Sequence, residues 1–109
     1  MYGKKVWIFA DAELPPLGTN PIPGHESIII VNLSNSPATI NITLLYTDRN
    51  PAQGLVATVG AKRVRCLRTN DEKDFPGHTA SIGEQYAILL ESDVPVVAQY
   101  GRAEQRTVS

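Results

Sequence analysis

The stretch Val59–Asp71, V-G-A-K-R-V-R-C-L-R-T-N-D, concentrates basic side chains (Lys62, Arg63, Arg65, Arg68) and ends on the polar residues Thr69, Asn70 and Asp71. It reads as a β-strand, along which successive side chains point to opposite faces. Val64, Cys66 and Arg68 then share one face, and Arg63, Arg65, Leu67 and Thr69 the other. Val64 and Cys66 are apolar, so their face is expected to meet the core and to carry Arg68 with it. A guanidinium drawn out of water needs a partner. The partner is either a ligand at the strand end or a structural ion pair with Asp71 or another carboxylate.

Other polar residues at strand ends and in long loops extend this candidate site. With Arg68, Asn70 and Asp71, the ligand-binding set is Glu13, His25, Glu26, Asp48, Gln99 and Arg102; His78 lies in a loop of the same kind. Carboxylates, amides and guanidinium groups beside an aromatic ring such as Trp7 or Tyr46 are what a sugar or another hydroxyl-rich ligand requires. The same groups also serve to cap strands and close a sheet. The expected arrangement has Arg68, Asn70, Asp71 and Glu26 at a strand-end pocket, with a proline-rich loop as its lip.

Catalytic and metal chemistry find little support. His25 and His78 are far apart in sequence, with no His-x-His or His-x-x-x-His pairing, so no metal and no cofactor is expected. The single cysteine, Cys66, lies mid-strand and reads as a small core hydrophobe rather than a nucleophile. No G-x-S-x-G elbow appears, and G-T-N-P-I-P-G lacks the lysine and following helix of a phosphate loop. An enzyme is therefore not expected. Lys62, Arg63 and Arg65 are able to contact nucleic-acid phosphates, a reading that predicts steep salt dependence. The chain has 10 basic and 11 acidic residues and a net charge of −1, so no global field favours that partner. The bland alternative is a charged outer strand blunted against edge pairing.

These residues must be positioned by strands. At 109 residues the chain makes one domain, residues 1–109, burying roughly 65% of its unfolded surface without staples. Eight prolines and eight glycines spread along it mark turns between short runs. Strands are expected at Lys5–Ala10, His25–Leu33, Ala38–Tyr46, Leu55–Val59 running into the basic stretch, Tyr86–Leu90 and Val94–Arg102. In the first, Trp7 and Phe9 oppose Val6, Ile8 and Ala10, so both faces are apolar and the strand is central or at a subunit contact. Asp11–Gly24 and Glu72–Gly83 read as long loops, Thr47–Gly54 and Glu91-Ser92-Asp93 as turns, and residues 103–109 as a fraying tail. The pattern is all-β: a single-domain antiparallel β-sandwich of about seven or eight short strands. One cysteine, no long apolar run and no leader pattern favour the cytoplasm.

Several pieces, taken in order and spacing, resemble the sensory rhodopsin transducer family. They are E-L-P-P-L-G at Glu13–Gly18, His25-Glu26, L-L-Y-T-D-R-N-P at Leu44–Pro51, the basic stretch Val59–Asp71, S-D-V-P-V-V-A-Q-Y at Ser92–Tyr100, and R-A-E-Q-R at Arg102–Arg106. The resemblance implies a β-sandwich subunit that assembles as a homotetramer, resembles carbohydrate-binding sandwich proteins and has no catalytic activity. It also implies a signalling partner, such as the cytoplasmic face of a membrane photoreceptor or another receptor. Binding to DNA has been suggested within the family.

Overall fold

A computed structural model describes residues 2–16, 18 and 24–103, and they form an all-β, antiparallel fold. Six strands follow one another: β1 (Lys4–Glu13), β2 (His25–Asn32), β3 (Ala38–Tyr46), β4 (Ala52–Val59), β5 (Arg63–Arg68) and β6 (Gln85–Ala103). They pair in the order β4-β3-β6-β2-β5, with β1 also on β6. Among the described residues there is no helix, and none is long and apolar enough to cross a membrane. Residues 19–23 of the proline-rich loop and the tail from residue 104 lie outside the described residues.

β6 organises the sheet. It runs 19 residues, merging the two last expected strands, so Glu91-Ser92-Asp93 is strand and not a turn. Its first part lies between β1 (Trp7↔Leu90) and β3 (Ile42↔Leu90). Its last part, Val97–Ala103, pairs β2 (Ile28↔Tyr100), which pairs β5 in turn (Ile28↔Leu67). Pro95 sits between these ladders, where its missing N–H costs no bond. The sheet curls about this strand and its two halves face each other. The core between them takes Ile28, Ile30 and Leu67 from one half and Ile40, Ile42, Leu55, Ile88 and Leu90 from the other. Each such side chain contributes on the order of 1.5–3 kcal/mol when fully buried. Arg65 draws the free edges together: its Nη1 donates to the Thr58 carbonyl of β4 at 2.9 Å, and its Nη2 lies 3.8 Å from Asp74 Oδ1.

Two local devices reset the alternation. Gly54, with φ of 85°, sits at a bulge where β4 carries an extra residue against Ile42–Leu44. The bulge lets Ala52 and Leu55 both point inward. β4 therefore begins at Ala52, inside what the sequence offers as a turn. A register shift between Phe9 and Ala12 does the same for β1, which continues to Glu13 instead of ending at Ala10. β1 pairs with β6 alone, so it is an edge strand and not a central one.

The phase expected for β5 is reversed. Leu67 is fully buried, whereas Val64 is 65% exposed and Cys66 and Arg68 are exposed as well. The physical reason lies in the neighbouring strand. Val31 stands between Val64 and Val97, and Ile29 between Cys66 and Gln99, so the outer face of this half is itself apolar. Apolar character therefore did not distinguish inside from outside, and the core residue is Leu67, between Cys66 and Arg68.

Candidate functional site: a buried carboxylate held by three hydroxyls

Glu26 alternates in phase with Ile28 and Ile30, and that phase carries its side chain into the core, where it is 0% exposed. A carboxyl group taken out of water needs protein hydrogen bonds in place of the lost solvent. Glu26 has three hydroxyl donors. Thr69 Oγ1 donates to Oε1 at 2.5 Å, Tyr86 Oη donates to the same oxygen, and Tyr100 Oη donates to Oε2. The backbone amide of Glu13 in turn donates to Tyr100 Oη at 3.2 Å. One carboxyl group thus ties β2 to both ends of β6, to the segment after β5 and, through Tyr100, to β1.

The phenols feel this environment. Burial first, and then the hydrogen bond to Glu26, raise the Tyr86 hydroxyl well beyond the ordinary tyrosine range. Tyr100 is pushed up to about 12 by the same two causes in the same order, with the Arg102 charge acting the other way. Phe9 stacks on Tyr100 (centroids 6.0 Å apart) and Trp7 on Phe9 (6.4 Å), while Tyr46 stands 6.3 Å from Tyr86. An aromatic belt therefore flanks the carboxylate on both sides.

The nine residues expected at one pocket fall into separate groups. Glu13, Glu26 and Arg102 come together around Tyr100, with His25 half-buried at the start of β2. Arg68 and Gln99 lie on the outer sheet face, across from Ser27 and Ile29. The expectation that Arg68 enters the core is thus corrected: its side chain is exposed, and its backbone is what is engaged, the N–H donating to Asp74 Oδ2 at 2.9 Å and the carbonyl accepting from Asp71 N at 3.1 Å. Asn70 is exposed, and Asp71 builds the following turn, accepting from the amides of Lys73, Asp74 and Phe75. Asp48 is exposed beside Arg49.

Sequence reasoning passed over Thr69, Tyr86 and Tyr100 as ligands of Glu26. The available signal was the parity of His25–Asn32, which places a lone acid on the isoleucine face and so demands donors from elsewhere. A second cluster also went unread. Arg49 lies 3.6 Å above the Tyr46 ring and grips Glu84 with two bonds of 2.9 and 2.8 Å, with a third to Asp48 at 3.0 Å. The bond to Arg49 holds the Glu84 carboxyl below its usual range. Among the described residues no three His, Cys, Asp or Glu side chains gather as metal ligands.

The class defined here is a small all-β protein whose two sheet halves share one long strand and close over a hydroxyl-bound carboxylate. A family profile described as Anabaena sensory rhodopsin transducer matches residues 2–109, and the chain belongs to that family. Its structure is similar to that of the Anabaena sensory rhodopsin transducer itself, with a TM-score of 0.78 and 30% identity over 92% of this chain and 97% of that one. It is also similar to the crystal structure of Thermotoga maritima 1070, with a TM-score of 0.82 and 30% identity over 96% of this chain and 84% of that one. Among curated proteins no sequence match was found.

Proposed function

We propose that the protein is a non-enzymatic signalling adaptor that works as a homotetramer in the cytoplasm and docks a receptor. The observation that carries this reading is an apolar stripe on each outer face of the sheet. On one half, Val64, Val31 and Val97 form a row beside Cys66 and Ile29, with Val64 65% exposed. On the other half, Ile8 and Leu89 are register neighbours, with Val6, Ile8 and Leu45 exposed; Ile8 is 61% exposed. Outer faces of a solvated sandwich are ordinarily polar. Two separate self-complementary patches are what a tetramer with two kinds of two-fold contact requires.

Family membership supports a receptor as the partner, since the similar Anabaena protein is named as the transducer of a sensory rhodopsin. Sedimentation velocity tests the assembly. The expected result is a tetramer that Val64→Glu and Ile8→Glu each reduce to a dimer and that the double variant reduces to a monomer. A monomeric parent protein at micromolar concentration, or charged variants that leave its mass unchanged, refutes the reading. Nucleic acid is a weaker alternative because Arg65, central to the basic stretch, is engaged by Thr58 and Asp74. The exposed positions among the nine, Asp48, Arg68, Asn70, Asp71, Gln99 and Arg102, stay with this proposal as ligand contacts, as do half-buried Glu13 and His25, whereas Glu26 is enclosed by its three hydroxyls.

A further inference from the structure

A cleft of about 420 Å³ opens where the turn after β2, the β4–β5 connection and the middle of β6 meet. That volume falls inside the range of small-molecule sites, roughly 300–1,000 Å³. Tyr2, Leu33, Val94 and Pro95 supply apolar walls, and Lys62 with the turn Ser34–Ser36 supplies the polar rim. The chain itself fixes these walls. The buried Asn32 amide ties two of them together: its Nδ2 donates to the Ser36 carbonyl at 2.8 Å and to the Gly60 carbonyl at 3.2 Å, and its Oδ1 accepts from Ser34 N at 3.0 Å. Tyr2 is placed by Gly3, whose φ of 91° and lack of a Cβ let the backbone close on Val96; a Cβ there would stand 2.3 Å from the Val96 carbonyl oxygen. Walls that need no ordering lower the cost of binding.

Lys62 selects what binds. Among the described residues it alone, glycines aside, has a positive φ, 57°, in a connection where that conformation ordinarily falls to glycine or asparagine. Strained backbone of this kind clusters at ligand clamps. Here the lysine reaches to the turn after β2, where Nζ donates to the Leu33 carbonyl at 2.5 Å. An ammonium has three protons to donate, so two remain for a ligand. No carboxylate lines the cleft, and among the described residues none forms an ion pair with Lys62. The lining thus sets one unbalanced positive charge against apolar walls. A cationic ligand is repelled, and a neutral one leaves the charge unmatched. Inorganic phosphate matches the charge but has no apolar part to cover Leu33 and Tyr2, which are 42% and 76% exposed. A single carboxylate on an apolar body meets both demands. We propose that this cleft binds a small apolar monocarboxylate, with its carboxylate on Lys62 Nζ and its body against Tyr2, Leu33, Val94 and Pro95. None of the Val64–Val31–Val97 row lines the cleft, so the site does not rest on the adaptor reading.

The test is an NMR titration of the ¹⁵N-labelled protein with sodium benzoate and sodium hexanoate, with benzyl alcohol and inorganic phosphate as controls. Saturable shifts confined to the amides of residues 2, 33–36, 60–63 and 94 are expected with at least one of the two carboxylates. Benzyl alcohol, which lacks the charge, is expected to bind at least about tenfold more weakly than benzoate. Lys62→Gln, a surface change, is expected to weaken carboxylate binding by about tenfold, as loss of one charge-assisted hydrogen bond does. Tyr2→Ser, also a surface change, is expected to weaken it several-fold. No saturable response to either carboxylate overturns the proposal. So does benzyl alcohol or phosphate binding these residues as tightly as the carboxylates, or carboxylate binding that both variants leave intact. None of these results depends on the assembly mass, so failure here is distinguishable from failure of the adaptor reading.

Discussion

Replacing Glu26 by alanine takes away the acceptor shared by three hydroxyls. Thr69 and Tyr86 are almost fully buried, and without Glu26 their hydroxyls are left with only each other, which satisfies one donor and not both. Each orphaned buried hydroxyl costs about 1–3 kcal/mol. Tyr100 is only half-buried and turns its hydroxyl to water at smaller cost. The expected loss is about 4 kcal/mol, a large share of the roughly 5–15 kcal/mol that stabilises a domain. With a urea slope of about 1.5 kcal/mol/M, the unfolding midpoint falls by about 2.5 M. Glu26→Gln separates acceptor geometry from charge. Its carbonyl, placed at the Oε1 position, still accepts from Thr69 and Tyr86, while the amide leaves Tyr100 without an acceptor. That variant is expected to cost about 2 kcal/mol, roughly one charge-assisted bond. An alanine variant losing less than about 1 kcal/mol, or a glutamine variant as damaged as alanine, refutes this account of the cluster.

Three further outcomes follow from the same structure. Leu67→Ala is expected to lose about 3 kcal/mol by opening a core cavity, whereas Arg68→Ala stays within about 0.5 kcal/mol; paired urea denaturation distinguishes the observed β5 phase from its inverse. Asn32 is fully buried and donates to the Ser36 and Val59 carbonyls (2.8 and 3.1 Å) while accepting from Ser34, so Asn32→Ala should cost about 2–3 kcal/mol and lower the thermal midpoint accordingly. At high pH the raised tyrosines destabilise the fold: the unfolded phenols lose their protons near pH 10, while Tyr100 keeps its own until about 12 and Tyr86 longer. Their stabilising contribution is intact below pH 10 and is lost as pH rises beyond it. Tyr86→Phe, followed by denaturation across that range, should flatten the decline.

Much of the fold is legible where one face is apolar and the other polar. Ala38–Tyr46 alternates cleanly, and β3 occupies those residues. The reading falters where both faces are apolar. In β5 the two valine-like positions lie outside because a second apolar surface exists there, and no single-strand pattern distinguishes a core from an assembly face. It falters again at Gly54, where a bulge breaks the period, and at Ser92–Asp93, where turn-forming residues continue the strand beside β3, through the Ile40↔Ser92 pair and the Thr39 amide donating to Asp93 Oδ1. The Glu26 cluster is half-legible. Parity foretells a buried acid, but its donors Thr69, Tyr86 and Tyr100 come from distant positions that only the curling of the sheet brings together. Arg49 and Glu84 meet for the same reason.

The long β6 strand also constrains what insertions the chain can bear. Its inward positions are even-numbered from Tyr86 through Ile88, Leu90, Val96 and Ala98 to Tyr100. One added residue between Ser92 and Val96 would leave the β3 ladder and the β1 pairs from Val6 onward untouched but exchange inside for outside along everything downstream. Ala98 and Tyr100 would turn to solvent, Val97 and Gln99 would enter the core, and Glu26 would lose a ligand. Two added residues would restore the parity. Length variation at this crossing is therefore expected in steps of two.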